Sequence, residues 1–386
     1  MKIVIVSTHP THPAVEGNRR FIYNQVELFK RMGHEVYYVL IFVYKGDWII
    51  DANTVIAKMS EYWGDHLFIF KKNYFFLKKK GLIGRYRNLF NHGYIHCDDY
   101  YPSGLDSYIN ELNGIYHFDC CIANYYILSK LFKYIKVPLK GLVTHDYFSY
   151  KNLLTKENKV WLGTTADQEA KALQRCDNIF ALNSDEAIYF SNLSPQSMIY
   201  TVYSIYEYYP SLVKGNHTLL FLSGNNRYNQ NGLEWFFNTI FPEIIKSFPS
   251  VKLKIGGAIC RSLERLQNNK NIEICGYIDN TLSFYDSGDV VINPTYQGTG
   301  LKIKTFEGIS YDKAVLAHPH SIKGVFKPDI CPIFCSTEAK DWVSVLKRLW
   351  GNHSELHDIK KKNKEYLEQM NMFVEKEYLR FFNSMK

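Results

Sequence analysis

Short apolar runs that recur between segments of helical period constrain this chain more than any other feature. KIVIV at 2–6 is followed by a pattern over 17–32 that carries Phe21, Val26, Leu28 and Phe29 and stops at Gly33; EVYYVLIFV comes next, at 35–43. A continuous apolar run leaves no face for water, so it suits a parallel strand covered on both sides rather than a half-exposed antiparallel one. DCCIA from Asp119, KGLVTHD from Lys140 and DNIFAL from Asp177 continue the rhythm, with a helical pattern over 164–175. The fold class expected is α/β, with helices on both faces of a parallel sheet.

The rhythm then breaks. Residues 203–218 hold Pro210 and Gly215 and keep no period. Beyond them LLFLSG, VKLKIGG, NIEICG, DVVINP and KAVLA read as strands, with helices expected over 232–246, 281–285 and 303–311. At 386 residues the chain exceeds one ordinary core. Two doubly wound domains are expected, divided near Pro210. The last thirty residues, with Leu367, Met370, Met372, Phe373, Tyr378 and Phe381, read as one or two amphipathic helices.

Composition narrows the function classes. A 46% hydrophobic and 22% charged chain is an ordinary folded protein. The net charge of +8 is spread along the sequence, which bears on encounter and solubility rather than on fold. Basic and aromatic residues alternate most densely over 70–90, with Lys71, Lys72, Arg85 and Arg87. That stretch reads either as a membrane-surface or anionic-acceptor patch or as a solvated loop. No nucleic-acid motif accompanies it. The cysteines (97, 120, 121, 176, 260, 275, 331 and 335) lack CxxC spacing, so no metal site is expected, and Cys120 and Cys121 read as small core hydrophobes. Without a signal peptide or a spanning apolar run, a cytoplasmic location is expected.

Parallel sheets bind ligands at the carboxyl ends of their strands. The first such loop, at 7–20, lacks both GxGxxG and a P-loop and instead reaches a helix start at Gly17, Asn18 and Arg19. The amides there with Arg19 or Arg20 could hold an anion; alternatively, both arginines are solvated first-turn residues. The loop after DVVINP is richer. Gly298 and Gly300 allow close approach of a ligand to backbone, Thr299 offers a hydroxyl where the next helix is expected to begin, and Lys302 and Lys304 add two charges within a turn. Glu307 supplies acceptors for a ribose diol, with Gly308 beside it leaving room. The arrangement suits a nucleoside diphosphate, with lysines on phosphate and the carboxylate on sugar hydroxyls. After KGLVT, His145 and Asp146 are expected at a strand end facing a cleft. His318 and His320 follow another strand end, and Glu169 reads as a surface or hinge residue.

These segments resemble the family 4 glycosyltransferases of the GT-B fold. GTGLKIKTFEG with DKAVLAHP is similar to their donor-binding element, GNRRFIYNQVELFKRMGHEVYYV to their opening helix and strand, and VTHDYFSYKN to a His-Asp loop of one subgroup. LLFLSGNNRYNQNGLEWFF and QEAKALQRCDNIFALNSDEAIYF complete a likeness over most of the chain. The resemblance implies two Rossmann-like domains facing across a cleft. Residues 1–208 would bind acceptor and 209–365 the nucleotide sugar, with a C-terminal helix over about 366–386 returning to the first domain. It implies retaining transfer of a sugar from a nucleotide sugar, UDP before GDP, with no metal or other cofactor. The basic stretch over 70–90 suggests a glycan or lipid-linked acceptor and peripheral contact at the inner membrane face, as in bacterial capsule or lipopolysaccharide synthesis, with no nucleic acid.

The same likeness assigns roles. Lys302 would bind the diphosphate with Lys304 in support, Glu307 the ribose, and His145 the transferred sugar. Asp146 would orient the acceptor hydroxyl or His145, and Gly17 would lie at the phosphate end. Thr299, Gly300 and Leu301 belong to the donor loop. Family members carry Arg and Lys near the positions of Asn225 and Asn231, with Arg227 a candidate substitute, and many carry Glu at the position of Thr299. An epimerase, a phosphorylase and a non-catalytic sugar-binding protein share folds of this kind, because fold alone does not decide chemistry.

Overall fold

The computed structural model describes residues 1–14, 17–42, 52–71, 96–155, 162–263 and 269–385. The chain divides into two units, Met1–Ile205 with Phe373–Lys386, and Tyr206–Met372. The divisions expected at 208/209 and 365/366 fall at 205/206 and 372/373.

Unit 1 is built on a sheet of β1 (Lys2–Ser7), β2 (Glu35–Ile41), β3 (Leu67–Phe70), β4 (Cys120–Asn124), β5 (Leu139–Val143), β6 (Asn178–Ala181) and β7 (Met198–Thr201). Their order is β3-β2-β1-β4-β5-β6-β7 and every pairing is parallel. Ile3, Val4, Ile5 and Val6 are fully buried, as a strand between two layers of helix requires. The helix Gly17–Arg31 turns Phe21, Ile22, Val26, Leu28 and Phe29 inward. Cys120 and Cys121 are buried in β4. The strand expected to run to Val43 ends at Ile41, and Val43 lies outside the described residues.

Unit 2 repeats the plan with β8 (Thr218–Leu222), β9 (Lys252–Gly256), β10 (Ile272–Gly276), β11 (Val290–Asn293), β12 (Ala314–Ala317) and β13 (Ile333–Cys335), in parallel order β10-β9-β8-β11-β12-β13. The helix expected from Gly232 begins earlier, at Arg227, because Asn226 caps it by accepting from the Asn229 amide. It runs to Trp235 and continues through a π turn over Phe236–Ile240.

A helix over His353–Phe382 takes part in both units. Tyr366, Leu367 and Met370 are buried in unit 2, then Val374, Tyr378, Phe381 and Phe382 in unit 1, at the three- and four-residue spacing of one helix face. Gln25 Nε2 donates to Tyr378 Oη at 2.7 Å, and Phe381 packs edge-on against Phe180. Gly141 of β5 permits this docking, since a Cβ there would stand 2.5 Å from the Phe180 ring and 3.2 Å from Phe381. Among the described residues, no helix is long and apolar enough to cross a membrane.

Candidate functional site

In each sheet the chain reverses its winding direction at the first strand, between β1 and β4 and between β8 and β11. Loops beyond the carboxyl ends of strands at such a switch point diverge and leave a crevice. The sequence-expected site residues fall in these loops.

In unit 2, the loop after β11 turns through Gly298 (φ 93°) and Gly300 (φ 71°), in a region where a side chain is strained. Lys302 closes the turn. Its Nζ donates to the carbonyls of Gly298, Thr299 and Gly300 at 3.2, 2.9 and 3.0 Å, and His320 Nε2 holds the Gly298 carbonyl at 2.8 Å. The helix starts at Ile303, as the 303–311 pattern predicts and not near Thr299, with Lys302 at its N-cap position, because the two positive-φ glycines carry the chain through a turn first. Leu301 is half-buried between turn and helix.

Lys304, the second residue of this helix, reaches the start of the helix after β8, where Nζ donates to Asn229 Oδ1 at 2.7 Å and lies 5.7 Å from the Phe221 ring. Burial pushes its pKa down to about 8; Glu307 works upward and Lys302 downward. Asn229 Nδ2 in turn donates to the Gly224 carbonyl at 2.9 Å, so one amide ties this ammonium to the turn after β8. Asn225 is exposed and accepts from Gln230 at 2.7 Å, Asn231 donates to Gln297 at 3.1 Å, and Arg227 is exposed at the first position of its helix. Glu307 Oε2 accepts from the Tyr285 hydroxyl at 3.4 Å. The space expected from Gly308 is used otherwise: a Cβ there would stand 2.7 Å from Val315 and 3.2 Å from Val291, so the glycine lets the helix sit on β11 and β12.

In unit 1, Asn124 and Val143 pair as the last residues of β4 and β5, and just beyond them Tyr125, one residue on, and His145, two residues on, both adopt positive φ, 75° and 67°. Non-glycine residues held there cost about 1–3 kcal/mol each and persist where surrounding structure imposes them. The His145 ring stacks on Tyr125 at 4.3 Å and 19°, Tyr125 meets His9 at 4.7 Å, and Phe21 meets His145 edge-on at 5.5 Å. His145 Nε2 donates to Asn124 Oδ1 at 2.7 Å, and its Nδ1 is buried without a hydrogen-bond partner among the described residues. Burial and His9 keep this imidazole well below its usual pKa, and burial with Arg19 takes His9 down to about 4.

Asp146 does not hold the His145 ring. It accepts from the Tyr147 amide and pairs with Lys151 at 2.8 Å, while Asn124 takes the ring nitrogen. Glu169 is neither a surface nor a hinge residue. It is buried and caps the helix Phe148–Thr155, accepting from the amides of Phe148 and Ser149 at 2.9 and 3.1 Å, and burial raises it to about 7. Gly17 opens its helix, followed by Asn18, whose Nδ2 donates to Tyr125 Oη at 2.9 Å. Arg19 is buried, at 2% exposure, so the solvated reading of this residue is excluded. Lys71 is exposed beyond β3, and Lys72, Arg85 and Arg87 lie outside the described residues.

Sequence reasoning missed Asn229, Tyr285, Asn124 and Tyr125, the partners that hold Lys304, Glu307 and His145. Only Asn229 carried a signal, the Asn226-x-x-Asn229 spacing at a helix start.

Among the described residues, His96, Cys97 and Asp98 bring potential metal-ligand atoms within 4.8 Å of one another. Their carboxylate is already committed to cations: Arg175 pairs with it at 2.7 Å and Lys171 at 3.5 Å. Burial works upward on Asp98, but these two outweigh it and hold the group at about 2. A hollow of about 500 Å³ in unit 2, lined by Ile330, Ile333, Phe334, Ile359 and Tyr366 among others, shares no residue with the loops above.

Residues 216–352 match the family model described as glycosyl transferases group 1. Over nearly the whole chain the fold is that of S. aureus TarM, seen in complex with fondaparinux, alpha-GlcNAc-glycerol and UDP, at a TM-score of 0.67 and 12% identity with 99% of this chain and 100% of that one covered. The chain has the GT-B fold, and its residues 216–352 match a glycosyltransferase family model. Sucrose-phosphate synthase from Thermosynechococcus elongatus shares this fold at a TM-score of 0.66 and 12% identity, and Anabaena HepE in complex with UDP at 0.66 and 11%, each with full coverage of both chains. A 44.6 kDa Klebsiella pneumoniae protein from a cps region is 25% identical over 339 residues, 80% of each chain. The matched segment contains every unit 2 residue of the candidate site, from Asn225 to Glu307.

Proposed function

We propose that this protein is a glycosyltransferase that moves a hexose-type sugar from a nucleoside diphosphate sugar to a glycan or lipid-linked acceptor, with retention of configuration and without a metal. UDP is the favoured carrier and GDP the next. The observation that carries the reading is the pair of ammonium groups, Lys302 and Lys304, placed at the switch point of unit 2 beside a helix start, with Glu307 on the same helix. Cleaving a sugar–phosphate bond builds negative charge on the leaving diphosphate. A cation already desolvated and fixed in place stabilises that charge with little reorganisation.

In this reading Lys304, held by Asn229, meets the diphosphate, Lys302 shapes the glycine turn whose amides complete the cradle, and Glu307 accepts from the ribose hydroxyls. His145 contacts the transferred sugar, and the acceptor binds to unit 1. Support for UDP comes from TarM and HepE, both crystallised with it, and support for surface polysaccharide synthesis from the cps-region relative. A cytoplasmic location at the inner membrane face follows from that role, through the basic stretch at 70–90.

The test is thermal stabilisation by UDP, GDP, ADP, CDP and TDP, with Lys304→Ala and Glu307→Ala beside the wild type. Stabilisation by one nucleotide that both variants lose is the expected result. Stabilisation by none, or by one that both variants retain in full, overturns the donor-site assignment.

A further inference from the structure

His145 has two ring nitrogens, and the one that carries the proton decides what it offers a ligand. Asn124, at the end of β4 and fully buried, settles this through its own orientation. Its Nδ2 donates to the Val6 carbonyl of β1 at 3.4 Å and its Oδ1 faces His145 Nε2 at 2.7 Å. The flipped amide would set Oδ1 against the Val6 carbonyl, acceptor against acceptor, so the hydrogen-bond network selects one orientation. An amide oxygen has no proton to give; Nε2 must therefore be the donor. Nδ1 is left with the lone pair, and it is buried without a hydrogen-bond partner among the described residues. Tyr125, stacked on one face, and Phe21, edge-on, hold the ring plane.

We infer that Asn124 is a positioning residue that fixes His145 as the Nε2–H tautomer, so that the imidazole meets a sugar hydroxyl as a hydrogen-bond acceptor through Nδ1. This rests on the reading of His145 as a contact of the transferred sugar and adds the direction of the hydrogen bond. It excludes Nε2 as a base toward the substrate, since that nitrogen is already a donor to Asn124. The titratable and charged groups around the ring are His9 after β1, Arg19 of the helix Gly17–Arg31, which acts on His9, Tyr125 after β4 and Asp146 of its own loop. Burial and His9 both oppose a second proton, which keeps Nδ1 an acceptor at neutral pH.

The test uses the full chain with ¹⁵N-labelled histidine, in which a protonated and an unprotonated ring nitrogen resonate far apart. The wild type is expected to show His145 neutral, with its proton on Nε2. Asn124→Asp, of the same shape, sets a carboxylate against Nε2 and is expected to raise the His145 pKa by about 1 to 3. Asn124→Leu removes the acceptor and is expected to give a mixture of tautomers. UDP-glucose, UDP-galactose, UDP-N-acetylglucosamine and GDP-mannose serve as probes, one of them expected to shift Nδ1 toward a hydrogen-bonded acceptor. A wild-type proton on Nδ1, an unchanged tautomer in Asn124→Leu, or an unmoved pKa in Asn124→Asp overturns the positioning role. Nucleotide stabilisation with no probe shifting Nδ1 overturns the sugar contact while leaving the donor site of unit 2 standing, so the two failures are told apart.

Discussion

Replacing Lys304 by Met removes an ammonium that burial holds at about 8 instead of the usual 10.5. At 1.36 kcal/mol per pKa unit this difference is about 3 kcal/mol, and the side chain's partial solvent access brings it to about 2 kcal/mol. The sign follows from which state loses its proton first. Below about pH 8 the ammonium is charged in the folded and the unfolded chain alike, and the folded state bears the whole penalty. Between about 8 and 10.5 the folded chain deprotonates first and the penalty fades. The wild type should therefore be less stable than Lys304→Met by up to about 2 kcal/mol below pH 8, and the gap should close as pH rises toward 10.5. Lys313, also pushed down to about 8 by burial, is common to both proteins and cancels in the comparison.

A diphosphate reverses the balance. Its charge favours the protonated amine, so UDP affinity should be level below about pH 8 and fall by up to about tenfold per pH unit above it. Lys304→Met should bind UDP weakly with no such slope. Calorimetry across this pH range, following the transition that UDP moves, reads both effects. A variant destabilised by the same amount at every pH, with UDP binding parallel to the wild type, would refute the reasoning and reduce the Lys304–Asn229 bond to a structural tie.

Three further outcomes are expected. Lys302→Ala should lose about 2 to 4 kcal/mol of transition-state stabilisation, seen as a fall in kcat/KM of the transfer reaction, and unchanged turnover excludes the role. Glu307→Ala should weaken UDP by about 1.5–3 kcal/mol, the worth of a hydrogen bond to a charged group, and should abolish discrimination between UDP and 2′-deoxy-UDP in titration calorimetry. Ending the chain at Met372 removes the buried Val374, Tyr378, Phe381 and Phe382 from unit 1. Each lost aromatic is worth about 3–5 kcal/mol, so unit 1 should become protease-sensitive, and intact resistance to limited proteolysis argues against a bracing role.

The central strands were legible because burial on both faces leaves nothing polar to interrupt them, as in Ile3–Val6 and Val290–Ile292. The edges were not. Leu67–Phe70, Met198–Thr201 and Ile333–Cys335 each pair on one side, and their short, partly exposed runs carry no strong period. The Gly298–Glu307 loop was legible because its residue types are unusual together. Its geometry was not: a lysine that satisfies three carbonyls of its own turn looks in sequence like any other lysine. Glu169 was misjudged because a charged residue in a helix defaults to the surface, whereas the unpaired amides at the start of the preceding helix draw this one inside.

The loop after β8 shows why site charge is better sought in space than in sequence. Where the family resemblance leads one to expect Arg and Lys, this chain has Asn225 and Asn231, whose side chains are engaged with Gln230 and Gln297. Coulomb attraction depends on where a charge sits and on the medium around it, not on the segment that carries it. The ammonium that reaches this loop belongs to Lys304, which crosses from the β11 side of the switch point and bonds to Asn229. Asn229 is itself fixed by its helix start and by the Gly224 carbonyl, so the borrowed cation is held as firmly as a local one. Dependence on a single amide has a consequence. Asn229→Ala should impair diphosphate binding nearly as much as loss of Lys304, while Asn225→Ala should leave it unchanged, and UDP titration of the two variants decides between a borrowed charge and a local one.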